Sequence, residues 1–298
     1  MALAQVGSVD LPPHRDGGFD HGDVHLASGR IFVAHTAQGT VEVIDGEGLC
    51  HVATIPGCPE ASGMLCLQDD AMVFAAARAS GKVLVVDANR LAVAGEIATG
   101  PRPNGLAWNS RAGTLLVADV EDFHARLHRV DGTAAGDVAL PGRPRWCVYD
   151  AVADRFLVNV RDPACVAVVA GDPARVVERW PVSSAGPHGL DIDPVGGRAF
   201  VACDGGAVAV LDLATGREVD GVDIAGPPDA IWFNLERRLL YVAIGRPGVV
   251  DVIDTAAMRR SEQIATEEGA HTTAFDRVRQ RLVVFLPRSC RAAVYQEA

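Results

Sequence analysis

Most of what marks a functional class in a sequence is missing from this chain. Its seven cysteines (Cys50, Cys58, Cys66, Cys147, Cys165, Cys203 and Cys290) form an odd set with no C-x-x-C pair, which excludes a disulfide framework and a thiolate zinc site. Aromatic residues make up 5%, too few for a platform that stacks sugars or bases. Basic residues are outnumbered, 27 Lys and Arg against 38 Asp and Glu, for a net charge of −11. That balance opposes a phosphate-backbone partner and so excludes nucleic acid. No run approaches the roughly 18 apolar residues of a membrane span. The opening MALAQVGSVDLPPHRDGG has no basic residue ahead of His14 and Arg15 and no apolar stretch of signal-peptide length. There is no G-x-S-x-G elbow, H-E-x-x-H, P-loop or G-x-G-x-x-G. Together these absences predict a cytoplasmic protein with reduced, mostly buried thiols and with neither a membrane nor a nucleic-acid partner.

What the chain does have is a repeat. Glycines close similar segments at Gly57, Gly100, Gly142, Gly186, Gly226 and Gly269, 40 to 44 residues apart. Within the unit from Gly186, LDID reads as an inner strand, DPVGGR as a turn, AFVAC and GGAVAVLDL as the next two strands and REVDGVDI as a fourth. The same order recurs, with first-hairpin turns beginning at Asn109, Asp150, Asp193, Asn234 and Asp276, where Asp or Asn can bond its own backbone. Third strands end at Asp45, Asp87, Asp131, Asp212 and Asp254. A period of this size with four short strands per unit predicts an all-β fold, a β-propeller in a single domain over residues 1–298. Six units run from Gly18 to Gly269. The 29 residues that follow and the 17 that precede make about one more. Seven blades are therefore expected, with three C-terminal strands (HTTAFD, RLVVFL, CRAAVYQ) completed by an N-terminal strand from Ala4 to Leu11, so that no sheet edge is left at the seam.

The segments VEVIDGEG, VLVVDANR, VAVLDLATG and VDVIDTAA, each followed by a valine-rich strand, then G-x-P-x-G and RLLYVA or RAFVAC, resemble the YVTN-type β-propeller repeat. The resemblance covers nearly the whole chain and is weakest in blades 2 and 4. It implies the fold strongly and the function weakly, because such propellers include binding proteins, periplasmic factors and lactonase-like or lyase-like enzymes. Similar chemistry belongs to propellers of the gluconolactonase and streptogramin-lyase types, but neither metal motif is matched here residue by residue.

Residues entering the inner strands converge at one mouth of the channel although they lie about 40 positions apart. One register gives Asn104, Arg145, His188, Asp229 and His271 in blades 3 to 7, with Asp20 or His21 and Glu60 expected at about that height in blades 1 and 2. Three imidazoles and an acid could hold a divalent metal. His21, His188 and His271 are the candidate ligands, Asp229 and Glu60 candidate ligands or general bases, and Arg145 the group that would meet an anionic or carbonyl substrate. The second-to-third strand loops add His35, Arg78, Asp119, Glu121, His124, Arg161, Asp204, Arg246 and Arg288 as possible walls; four arginines there fit a carboxylate or phosphate. Nearby imidazoles oppose each other's protonation, so a neutral cluster is expected. Two readings follow: a metal-assisted hydrolase or lyase acting on a small molecule, or a non-catalytic propeller that binds a ligand or protein.

Other residues read as structural. His124 and His128 fall on one strand, where four residues span about 13 Å, too far for one ion. His25 and His51 read as turn or strand residues, Cys203 as a buried thiol, and Trp108, Trp146 and Trp232 as packing between blades. If all seven cysteines are reduced, titration of the freshly purified, denatured protein without reductant should find seven thiols. Two or more protected groups would contradict a reducing compartment.

Overall fold

A computed structural model describes residues 3–297 as seven four-stranded antiparallel sheets arranged as a propeller. The innermost strands are Gly22–His25, Ala61–Cys66, Pro103–Asn109, Pro144–Asp150, Pro187–Asp193, Pro228–Asn234 and Thr272–Asp276. Six blades are built from consecutive strands. The seventh takes its outermost strand from the N-terminus: Leu3–Asp10 pairs with Arg291–Glu297, from Leu3 opposite Glu297 to Asp10 opposite Arg291. The expected closure is thus realised, and the edge it covers would otherwise offer unpaired backbone groups to another chain.

The turns are made as their residues dictate. Asp45, Asp87, Asn109, Asp150, Asp254 and Asp276 each accept backbone N–H groups two and three residues on. Such a side chain reproduces the turn's own hydrogen bonding and fixes where the strand ends.

Each blade is too thin to bury its own faces, and the apolar side chains show where the burial occurs. They fall into seven clusters, each drawn from two adjacent blades, such as Phe32, Val43 and Ile55 with Cys58, Val73 and Leu84 between blades 1 and 2. Phe32, Phe74, Phe156, Phe200 and Phe285, all on second strands, are fully buried in these interfaces. An arginine tie of one kind supplements the packing at four of the seven. Arg30, Arg155, Arg198 and Arg281 open the second strands of blades 1, 4, 5 and 7, and their guanidinium groups donate to the carbonyls of Ala88, Leu213, Thr255 and Gly46 in the following blade.

Deleting residues 1–12 should uncover the edge of Arg291–Glu297 and strip Val9 and Leu11 from the interface of blades 7 and 1. The expected outcome is a markedly lower melting temperature with aggregation, whereas melting like the full chain would contradict closure. Arg198→Met is expected to cost about 1.5–3 kcal/mol in denaturant unfolding, the range for a hydrogen bond with a charged donor.

Candidate functional site

The mouth at which the innermost strands begin gathers the polar residues because adjacent strands approach closely there. A Cβ on Gly63, Gly105 or Gly189 would collide with the carbonyl of Asn104, Arg145 or Asp229 in the next blade. Glycine at this point lets each blade press the next blade's candidate residue toward the axis. Asn159, fully buried on blade 4, donates to the carbonyls of His188 and Gly189 and fixes where blade 5 enters.

Strand pairing assigns the register. Asn104, Arg145, His188, Asp229 and His271 occupy equivalent places in blades 3 to 7, and Asp20 holds that place in blade 1 with His21 one residue deeper. In blade 2 the place belongs to Ser62, buried and bonded to the carbonyl of Pro103. Glu60, expected as a base, instead lies outside the strand with a left-handed φ of 50° and forms an exposed ion pair with Arg102 at 2.9 Å. The irregular entry of blade 2 shifted the count by two residues.

Asp229 is the centre of the cluster. Its Oδ2 accepts from His271 Nδ1 at 2.6 Å, and its Oδ1 lies 3.3 Å from His188 Nε2. His188 Nδ1 in turn meets Asp204 Oδ1 at 3.0 Å, and Arg161 pairs with the other Asp204 oxygen at 2.8 Å. The two imidazoles expected to share a ligand therefore bind opposite oxygens of one carboxylate. On the far side, Arg78 donates to Asp20 at 2.9 Å and to Asn104. Asp20 also lies 3.4 Å from His21 Nε2. Arg145 differs from its neighbours: among the described residues it forms no ion pair, and its Nε is buried without a hydrogen-bond partner.

Electrostatics divide the imidazoles. At His271 burial opposes the charge, but the hydrogen bond and negative charge of Asp229 override it and raise the pKa to about 9. Burial dominates at His21 and lowers its pKa, against the pull of Asp20 and Asp229. Burial would raise Asp229, yet the charges of His188 and His271 and the His271 hydrogen bond hold it well below the ordinary carboxylate range. The expectation of a uniformly neutral cluster is thus corrected at His271. A carboxylate bridging two imidazoles outweighs their mutual repulsion.

The donors of the cluster are largely paired with one another. Among the described residues no three His, Cys, Asp or Glu side chains converge as a metal site. The physical reason is visible in the pairing, since His271 Nδ1 is spent on Asp229 and His188 presents its two ring nitrogens to two carboxylates, so the nearest donors satisfy one another. Arg246 and Arg288 reach outward to Glu268 and stay 86% and 64% exposed; they do not join the cluster. His35 is no wall either. It is fully buried, with Nδ1 3.0 Å from Glu42 and Nε2 2.8 Å from His14. Burial would raise Glu42, but hydrogen bonds from His35, Thr40, Thr54 and His51 hold it at about 2. His51 thus serves this buried carboxylate from its strand, and His25 bonds Ser28 and the Asp70 carbonyl in a turn. His124 pairs with Asp137 and Asp119 with Arg126, away from the mouth cluster. Burial lifts the Cys203 thiol to about 12, as suits a structural residue.

Sequence reasoning missed what lies beneath. His21 stacks on Trp146, with ring centroids 4.0 Å apart and 18° between planes, and Trp232 meets Trp146 edge-on at 6.4 Å. These rings roof a channel cavity of about 450 Å³ that opens at the opposite face, where Ser110, Pro194 and Arg277 lie in the hairpin turns. Trp108, Trp146 and Trp232, read as inter-blade packing, all line it. So do Asp23 and Asp191, whose pKa values burial raises, that of Asp23 to about 6. The chain matches no protein-family model and no curated protein.

His271 and Asp229 imply a pH signature in stability. A histidine whose folded pKa is raised contributes fully below its ordinary value and loses that contribution as pH climbs through the folded one. The stability difference between the wild type and His271→Gln should therefore be greatest below pH 6.5 and shrink as pH passes through about 9. Urea titrations across this range would measure it, and a pH-independent difference would contradict the ion pair.

Proposed function

We propose that the protein is a cytoplasmic propeller of the YVTN repeat type whose His-rich mouth binds a small anionic carbonyl substrate and acts on it by acid–base chemistry, as a hydrolase or lyase. The observation that carries this reading is the opposite displacement of two imidazoles around Asp229, with His21 pushed toward the neutral form and His271 held as a cation. Groups whose surroundings drive their pKa values apart are suited to divide the roles of base and acid. His21 would take a proton from water or from a carbon beside the carbonyl. His271 would stabilise the developing oxyanion and return a proton to the leaving group, and Asp229 would hold it in place. Arg145, the one guanidinium of the cluster without a carboxylate partner, would receive the substrate's negative charge. Seven cysteines, none bonded to another and six of them buried, support a reducing compartment. The internal pairing of Asp20 with Arg78 and of Asp204 with Arg161 favours a second reading, a scaffold that binds a ligand without turning it over.

Screening lactones and small hydroxy and keto acids for turnover and for thermal stabilisation separates the two. For the enzyme, His21→Ala and His271→Ala should each lower kcat/KM by about 10²- to 10⁴-fold, the usual worth of a general acid or base, and Arg145→Met should raise KM. The rate should rise as His21 loses its proton below pH 6.5 and fall as His271 loses its own near about 9. Binding without turnover across the panel would leave the scaffold reading. Metal bound stoichiometrically to the purified protein, and lost on replacing His188 or His271, would instead support metal-assisted chemistry at this mouth.

A further inference from the structure

Two carboxylates stand in the channel below the tryptophan roof, and among the described residues no cation is in direct contact with either. Asp23 and Asp191 occupy the same register on the innermost strands of blades 1 and 5, which face each other across the ring. Asp23 accepts from the backbone N–H of Val24 and of Cys66, Asp191 from those of Ile192 and Phe233. In each pair the second donor belongs to the next blade, so part of their work is to tie neighbouring blades together. Those bonds use two of the roughly four acceptor positions on each carboxylate. Among the described residues neither forms an ion pair, although Asp191 is only 9% exposed. A buried carboxylate in that condition either takes up a proton more readily, as burial makes these two do, or is paired with a cation. Among the described residues Arg277 is the one guanidinium lining the cavity; it sits exposed in the hairpin turn at the open rim, where its charge acts on both carboxylates from a distance without pairing with either.

The surrounding wall decides what kind of cation fits. Leu65, Leu106, Val148, Ile192, Ile231 and Phe275 face the cavity together with the three tryptophans. An inorganic ion would gain nothing from that surface. An apolar or aromatic body with a positive head fits both the wall and the carboxylates. Its charge would meet Asp23 and Asp191, and the tryptophan faces would attract a cation beyond their apolar area. We propose that the channel cavity, reached from the face opposite the His-rich mouth, is a binding site for a small organic cation with an apolar body, an arylalkyl ammonium or amidinium.

The test uses the full-length protein at mildly alkaline pH with three probes of like size: benzylammonium, benzyl alcohol and benzoate. Three of the four tryptophans line the cavity, so intrinsic fluorescence reports occupancy and calorimetry gives the affinity. Benzylammonium is expected to bind saturably, benzyl alcohol about tenfold or more weaker for want of the charged hydrogen bond, and benzoate not at all. Asp23→Asn and Asp191→Asn keep the side-chain volume and should each weaken benzylammonium by about tenfold, within the worth of a charged hydrogen bond, and leave benzyl alcohol unchanged. Equal binding of the alcohol and the ammonium would reduce the site to an apolar hole and overturn the proposal, as would preferred binding of benzoate or no saturable response. Displacement of benzylammonium by magnesium at equal concentration would also overturn it, in favour of an inorganic ion. If an Asn variant fails to fold, the three probes on the wild type still decide.

Discussion

No blade of this protein is stable alone, because burial of its two faces requires two neighbours. That single requirement, met seven times by apolar clusters that each straddle an interface, governs everything else in the ring. It forces the N-terminal strand into the last blade, and it draws the innermost strands so close that only glycine fits at Gly63, Gly105 and Gly189. The same close approach brings side chains from seven distant stretches of sequence to one mouth. Packing thus comes first, and the site is a product of it.

The channel has two unlike ends, divided by the stack of His21 on Trp146 with Trp232 at its edge. Above the stack, imidazolium, guanidinium and carboxylate groups neutralise one another, leaving Arg145 as the surplus. Below it, the surplus is negative and the walls are apolar. A chain with an overall excess of acid has sorted its charge along the propeller axis, and His21 touches both environments.

How far this was legible in the sequence follows from the repeat. Strand number, turn residues and ring closure could be read because each unit restates them, and an error in one is corrected by the rest. The mouth residues of blades 3 to 7 could be read for the same reason, since their strands keep constant spacing. Blade 2 broke the spacing and cost the reading two residues, so that Glu60 was expected where Ser62 stands. His35 was misread because loop position alone does not reveal a buried carboxylate such as Glu42 behind it. The raised pKa of His271 depends on its meeting Asp229, a contact between blades that no local pattern encodes. The cavity was invisible for a deeper reason. It is the space left by seven strands at once, and no one of them describes it.

The pairing of Leu3 with Glu297 also determines how the ring would respond to force. Leu3 and Glu297 lie at the same end of one antiparallel ladder, with its hydrogen bonds running across the strands. Tension applied at the termini would load that ladder one rung at a time, beginning at the outer pair, instead of shearing all its bonds together. The first strand would peel away in sequence toward Asp10 and Arg291, drawing Leu3 and then Val9 out of the inter-blade cores as it goes. The strand that makes the propeller a closed ring is therefore also its zip.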